Sequence, residues 1–186
     1  MSGTNTTILV IPGLGDSGEN HWQTLWLKEI SNTVKVSQDN WDEPSLNHWI
    51  TRLNETIDEL DDKIVLVAHS LAVSLVAHWA ERFKNPNVVG ALLVAPADVD
   101  SPEHTPGVVR SFAPMPLLKF PFPTIVVASD NDSFVSVERA KFFAGNWGSS
   151  FVNIGAKGHI NSDSNLGNWQ EGQQYLAKLL QAIRHP

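Results

Sequence analysis

"KIVLVAHSLAVSLVAHWAERF", residues 63–83, passes from one apolar run through His69-Ser70 into a second apolar run of different period. Ile64–Ala68 is short, continuously apolar and rich in β-branched residues, which suits a strand buried on both faces. Leu71–Phe83 spaces its apolar positions as a helix does. A serine therefore stands where a strand turns into a helix. One reading makes Ser70 a helix cap whose hydroxyl accepts a backbone N–H. The other makes it a reactive group held out on a tight turn.

The same alternation continues outward in both directions. Apolar β-rich runs fall at Thr7–Ile11, Val34–Ser37, Val88–Ala95, Thr124–Ala128 and Ser150–Ile154. Helical patterns lie between them at Asn20–Ser31, Leu46–Leu60, Val135–Asn146 and Asn168–Ile183, the last with Glu171 three residues after Asn168 in the spacing of a capping box. Repeated strand–helix units predict an α/β protein with a mostly parallel sheet of about six strands. The connection from Ala95 to Pro123, "APADVDSPEHTPGVVRSFAPMPLLKFPFP", is too long and Pro-rich for an ordinary loop. It is a candidate flap or pocket wall, or else a surface excursion with a short helix near Pro106–Phe112.

The chain has 186 residues, 42% apolar and 18% charged, which fits one domain spanning 1–186. A formal charge of −7 without a Lys/Arg cluster argues against a nucleic-acid partner. The N-terminal stretch has no basic-then-apolar leader pattern, and no run approaches the ~20 apolar residues of a membrane span. A cytoplasmic protein without a membrane partner is expected. The absence of cysteine excludes thiolate chemistry and Cys-ligated zinc, and no H-E-x-x-H or comparable cluster suggests a metal. No cofactor is expected. The seven tryptophans are read mainly as packing residues, with one or two left for a pocket.

Two motifs compete for the chemistry. The loop "IPGLGDSGENHW" carries Gly13-x-Gly15-x-x-Gly18 after a strand, with Asp39 at about the spacing of a dinucleotide fingerprint. In that fingerprint the helix begins within the glycine run, so that its N-terminus meets the pyrophosphate. Here Pro12 precedes the run, the expected helix starts after Gly18, and Asp16 and Glu19 would repel phosphate. The rival is the Ser70 junction, laid out as a nucleophile elbow with Ala68 and Ala72 in the small-residue positions that are usually glycine.

The rest of the chain favours the elbow. A serine nucleophile needs a base and a carboxylate that orients it, and α/β-hydrolases supply them in the order Ser, acid, His. "SDNDSFVSVERA" after Thr124–Ala128 offers Asp130 and Asp132, and "GAKGHINSDSN" after Ser150–Ile154 offers His159. All lie beyond the C-terminal ends of expected strands, where open α/β sheets place their sites. Asp132 is preferred to Asp130 because it stands just ahead of a helix and can turn back toward His159. Asp98 is the remaining alternative acid and His104 the remaining alternative base. His48 and His78 fall inside helical patterns, and His185 is terminal. Backbone N–H groups of Leu71 and Leu14, with Gly13 second to Leu14, are the expected oxyanion donors. His21, Trp22 and His69 are candidate pocket residues. For Trp22 the competing reading is packing, and His69 points away from the substrate in the usual elbow.

With these residues in place the chain resembles the YdeN-like small serine hydrolases, the group that includes the retinoblastoma-binding serine hydrolase. The resemblance rests on "VIPGLGDSGENHWQTLW", "LVAHSLAVSLVAHWA", "LLVAPADVD", "VVASDNDSFVSVERAKFFAGNWGS" and "GAKGHINSDSNLGNWQEG". It implies a minimal α/β-hydrolase core, a three-layer α/β/α sandwich with strand order 2-1-3-4-5-6 and no large cap domain. It carries the triad onto Ser70, Asp132 and His159. One departure is Ser133 after Asp132, where many members have proline. The expected activity is cleavage of a small ester, or an amide, through an acyl-enzyme. The alternatives are a protein-binding module on a hydrolase scaffold and a dinucleotide-binding protein.

Overall fold

The computed structural model describes residues 5–185. Six strands, β1 (Thr6–Ile11), β2 (Thr33–Lys35), β3 (Lys63–His69), β4 (Val88–Val94), β5 (Thr124–Ala128) and β6 (Ser150–Asn153), form one parallel sheet in the order β2-β1-β3-β4-β5-β6. The helices are α1 (Trp22–Glu29), α2 (Leu46–Asp58), α3 (Leu71–Arg82), α4 (Val137–Trp147) and α5 (Gln170–Arg184). The expected strand order and the three-layer α/β/α architecture without a large cap are both present.

The layers follow from the strand period. Side chains alternate across a strand, and an unbroken apolar run therefore feeds two cores. Leu9, Ile11, Leu66, Ala68 and Leu93 pack with Trp49, Leu53, Leu75 and Phe143 from α2, α3 and α4. Ile8, Val10, Val65, Val67 and Leu92 pack with Trp22, Trp26, Leu176 and Leu179 from α1 and α5. The reversal in strand order falls between β1 and β3, where Ile11, the last residue of β1, is in register with Ala68, one residue before the end of β3. The turns that follow them emerge side by side at the crevice where such sheets bind ligands.

Several boundaries differ from expectation. β2 covers Thr33–Lys35 rather than Val34–Ser37, a short half-buried edge strand. α1 begins at Trp22 rather than Asn20, because His21 caps it by accepting the Gln23 N–H at Nδ1, 3.1 Å. The expected capping box of α5 does not form. Trp169, at φ 44°, precedes the helix, the Asn168 amide donates to Glu29, and Glu171 accepts from the Tyr175 hydroxyl.

The long connection 95–123 is a packed wall. It holds a short 3-10 helix, Gly107–Phe112, and buries Val109, Phe112, Met115 and Phe120. Arg110 stitches it internally by donating to the carbonyls of Val99 and Thr105. His78 of α3 donates from Nε2 to the Phe112 carbonyl, 2.7 Å. Among the described residues no helix is long and apolar enough to cross a membrane.

Candidate active site

Ser70 joins β3 to α3 with φ 59° and ψ −121°, a conformation that costs a residue other than glycine about 1–3 kcal/mol. Its N–H donates to the Val94 carbonyl at 3.0 Å, and its own carbonyl accepts from Val73 at 3.0 Å. The turn is thus fastened to β4 and to the first turn of α3. The Ser70 hydroxyl makes no capping bond to the helix. It lies 2.8 Å from Nε2 of His159. The cap reading of this serine therefore fails on the feature that defines a cap. Ala68 and Ala72 are fully buried, so the elbow accommodates their methyl groups.

His159 Nδ1 lies 2.9 Å from both carboxylate oxygens of Asp132. A carboxylate only accepts, so Nδ1 carries the proton and Nε2 is left as an acceptor for the Ser70 hydroxyl. The Asp132 side chain is fully buried, and one of its oxygens also accepts the Phe134 N–H at 2.8 Å. Asp132, His159 and Ser70 thus form one continuous triad across β5, β6 and β3.

The competing acids and bases are occupied elsewhere. Asp130 accepts from the Asn153 amide on the surface. Asp98 is buried and bound by the Arg139 guanidinium at 2.9 Å, which holds the arginine above its ordinary pKa chiefly through that hydrogen bond. His104 is engaged with the Ser133 carbonyl at 3.0 Å. The glycine loop after β1 does not make a dinucleotide site either. Its helix starts at Trp22, beyond the glycine run, Asp16 pairs with Lys35 at 2.7 Å, and Asp39 pairs with Arg52 on the surface.

That loop instead abuts the elbow. A Cβ on Gly13 would lie 2.9 Å from the His69 carbonyl oxygen and 3.2 Å from the Leu71 nitrogen, so only glycine fits. Leu14 and Leu71 border the same pocket, which encloses about 220 Å³ above Ser70. Ala97, Pro106, Val109 and Phe134 add apolar surface, while Asp16, His21, His69, Asn161 and Ser162 add polar surface. Burial is the main cause that lowers both His21, to about 4, and His69, well below its ordinary value, so both are neutral near pH 7.

His21 and His69 therefore border the pocket, whereas Trp22 does not. Trp22 is buried beneath it against Trp26 and Trp169, and its indole donates to the Ile160 carbonyl at 2.8 Å. Sequence reasoning missed Phe134, whose ring centroid is 4.3 Å from that of His159, and Asn131, whose side chain accepts the Gly158 N–H at 2.7 Å. Their closeness to Asp132 in the chain was the one available signal. Among the described residues no group of three or more His, Asp or Glu side chains is placed to hold a metal.

Comparison with known proteins agrees with this geometry. A YdeN-like hydrolase from Pectobacterium atrosepticum is 27% identical, with 96% of this chain and 92% of that one covered at a TM-score of 0.85. The ydeN gene product of Bacillus subtilis is 18% identical over 95% and 100% of the two chains, TM-score 0.76, a likeness of fold. So is that of Est1E from Butyrivibrio proteoclasticus, solved with ferulic acid, at 15% identity, 94% and 89% coverage and TM-score 0.71. None of the curated proteins compared with the chain matches it in sequence. The sequence pattern of the serine hydrolase family matches residues 8–178. With a Ser-His-Asp triad assembled at the C-terminal edge of the sheet, the chain belongs to that serine hydrolase family.

Proposed function

We propose that the protein hydrolyses small esters, or amides, through an acyl-enzyme on Ser70, acting as one domain over residues 1–186. The unbroken hydrogen-bond chain from Asp132 through His159 to a strained Ser70 is the observation that carries this reading. His159 Nε2 takes the Ser70 proton as Oγ bonds to the acyl carbon. The bond to the leaving group then breaks, and the same proton passes to the departing atom. Water repeats the sequence on the acyl-enzyme, releasing the acid and restoring Ser70. Asp132 keeps His159 in the Nδ1–H tautomer and stabilises the imidazolium formed between these steps.

The backbone N–H groups of Leu71 and Leu14, with Gly13 beside them, receive the oxyanion. Two features support this role. The Leu71 N–H belongs to the first turn of α3 and has no intrahelical acceptor. Gly13 lets the turn after β1 approach the elbow backbone closely. The reaction in this scheme uses no cofactor, and a cytoplasmic location is checked by fractionation of the expressing cell.

A pocket of 220 Å³, about the liquid volume of seven waters, suits a short acyl group. A series of nitrophenyl esters from acetate to octanoate tests this, with kcat/KM expected to peak at the short end and fall steeply beyond it. No turnover of any ester by folded protein would overturn the proposal and favour a binding role for the same scaffold.

A further inference from the structure

We propose that His69 is a positioning residue for the base, its neutral imidazole donating to the His159 carbonyl and holding that side chain between Ser70 and Asp132. The inference rests on the reading of Ser70 and His159 as nucleophile and base.

His159 sits in an unfavourable stretch of backbone. Gly158 before it has φ 59°, and Ile160 after it has φ 50°, a region in which a β-branched residue is an outlier. Such a loop relaxes unless its surroundings fix it. Three carbonyls of the loop are fastened by side chains. Ser164 Oγ donates to that of Lys157 at 2.6 Å, His69 Nε2 to that of His159 at 2.9 Å, and Trp22 Nε1 to that of Ile160 at 2.8 Å. Of these donors only His69 is contiguous with the nucleophile. The position of the base is therefore set from the peptide that presents Ser70, and movement of one carries the other with it.

The tautomer follows from the partner. A carbonyl only accepts, so His69 carries its proton on Nε2. Neutrality follows from the surroundings. His69 is buried, with His21 at 4.7 Å and His159 at 4.8 Å between ring centroids. A charged His69 would oppose the imidazolium that His159 becomes during turnover. Outside the triad, Asp16 is the carboxylate that acts on His21, and it is already paired with Lys35.

The test compares His69→Leu, which removes the donor, with His69→Gln, whose amide nitrogen can replace Nε2. It uses nitrophenyl acetate kinetics and the proton NMR resonance of the His159 Nδ1–H shared with Asp132. His69→Leu is expected to lower kcat by about 100-fold with KM nearly unchanged and to displace or broaden the resonance, whereas His69→Gln recovers kcat to within about fivefold and restores it. His69→Met, which adapts more easily to the core, replaces the leucine variant if that one does not fold. Wild-type kcat and resonance in the donor-less variant would overturn the inference. So would equal losses in both variants with an unmoved resonance, which is the mark of a packing role. If the wild-type protein hydrolyses no ester, the nucleophile–base reading fails, and the resonance still reports whether His69 positions His159.

Discussion

The two ends of the sheet differ in a way that runs against size. The groove at the N-terminal ends of β4 and β5, walled by Trp79, Phe83, Val89, Leu118, Phe122 and Ile183, encloses about 750 Å³. The triad pocket at the opposite end encloses about 220 Å³. A large apolar pocket is the usual first guess for a binding site, but only when polar groups converge on it. Here they converge on the smaller one. Backbone strain is concentrated there too: of the seven described residues other than glycine with positive φ, Asp16, Ser70, Ala95 and Ile160 follow β1, β3, β4 and β6, whereas Asn32 alone immediately precedes a strand. Strain of this kind persists only where the surrounding fold over-determines it. Its coincidence with the triad identifies the reactive end better than volume does.

Substitutions at the two ends should separate accordingly. Ser70→Ala should lower ester kcat/KM by about 10⁶-fold, and Asp132→Asn by about 10⁴-fold through the wrong imidazole tautomer, both with the fold retained. Steady-state kinetics beside a melting curve checks each. Gly13→Ala places a methyl 2.9 Å from the His69 carbonyl oxygen and should cost about 10²-fold in kcat by pushing the turn off the elbow. At the other end Leu118→Ser, a change at an exposed position, should leave kcat/KM within about twofold. A loss as large as that of Gly13→Ala would erase the distinction between the two ends.

The histidines of the reactive end also predict how stability varies with pH. His21 stays neutral in the folded protein down to about pH 4, while the unfolded chain takes up a proton near 6.5. Between those values the unfolded state binds more protons, so stability falls as pH drops through the interval and levels off below it. The loss from His21 is about 3 kcal/mol, and His69 acts in the same direction. His21→Asn keeps a capping oxygen for Gln23 and should flatten this part of a pH–denaturation series, with His69 supplying what remains.

Much of the fold was legible because burial on both faces writes a strand as an unbroken apolar run. Ile64–Ala68 and Thr124–Ala128 stand out for that reason. The edge strand β2 was harder to bound, since half-exposed Thr33–Lys35 carries no such run. The α5 capping box misled because its residues found distant partners. Asn168 reaches Glu29, and Gly172 lies so close to the Trp169 indole that a Cβ there would overlap the ring. For the site, hydrolase order pointed to Ser70, Asp132 and His159, which the fold brings together from three strand ends. What local sequence could not reveal was the support behind them. Trp22 and His69 act on carbonyls far along the chain, at Ile160 and His159, and such pairings exist only once the sheet has formed.

The nucleophile is tested most directly by treating the folded protein with a fluorophosphonate and mapping the adduct by mass spectrometry. One adduct on Ser70, absent from Ser70→Ala and formed far more slowly in His159→Ala, is the predicted result. An adduct on another residue, or none on protein that melts cooperatively, would contradict the account.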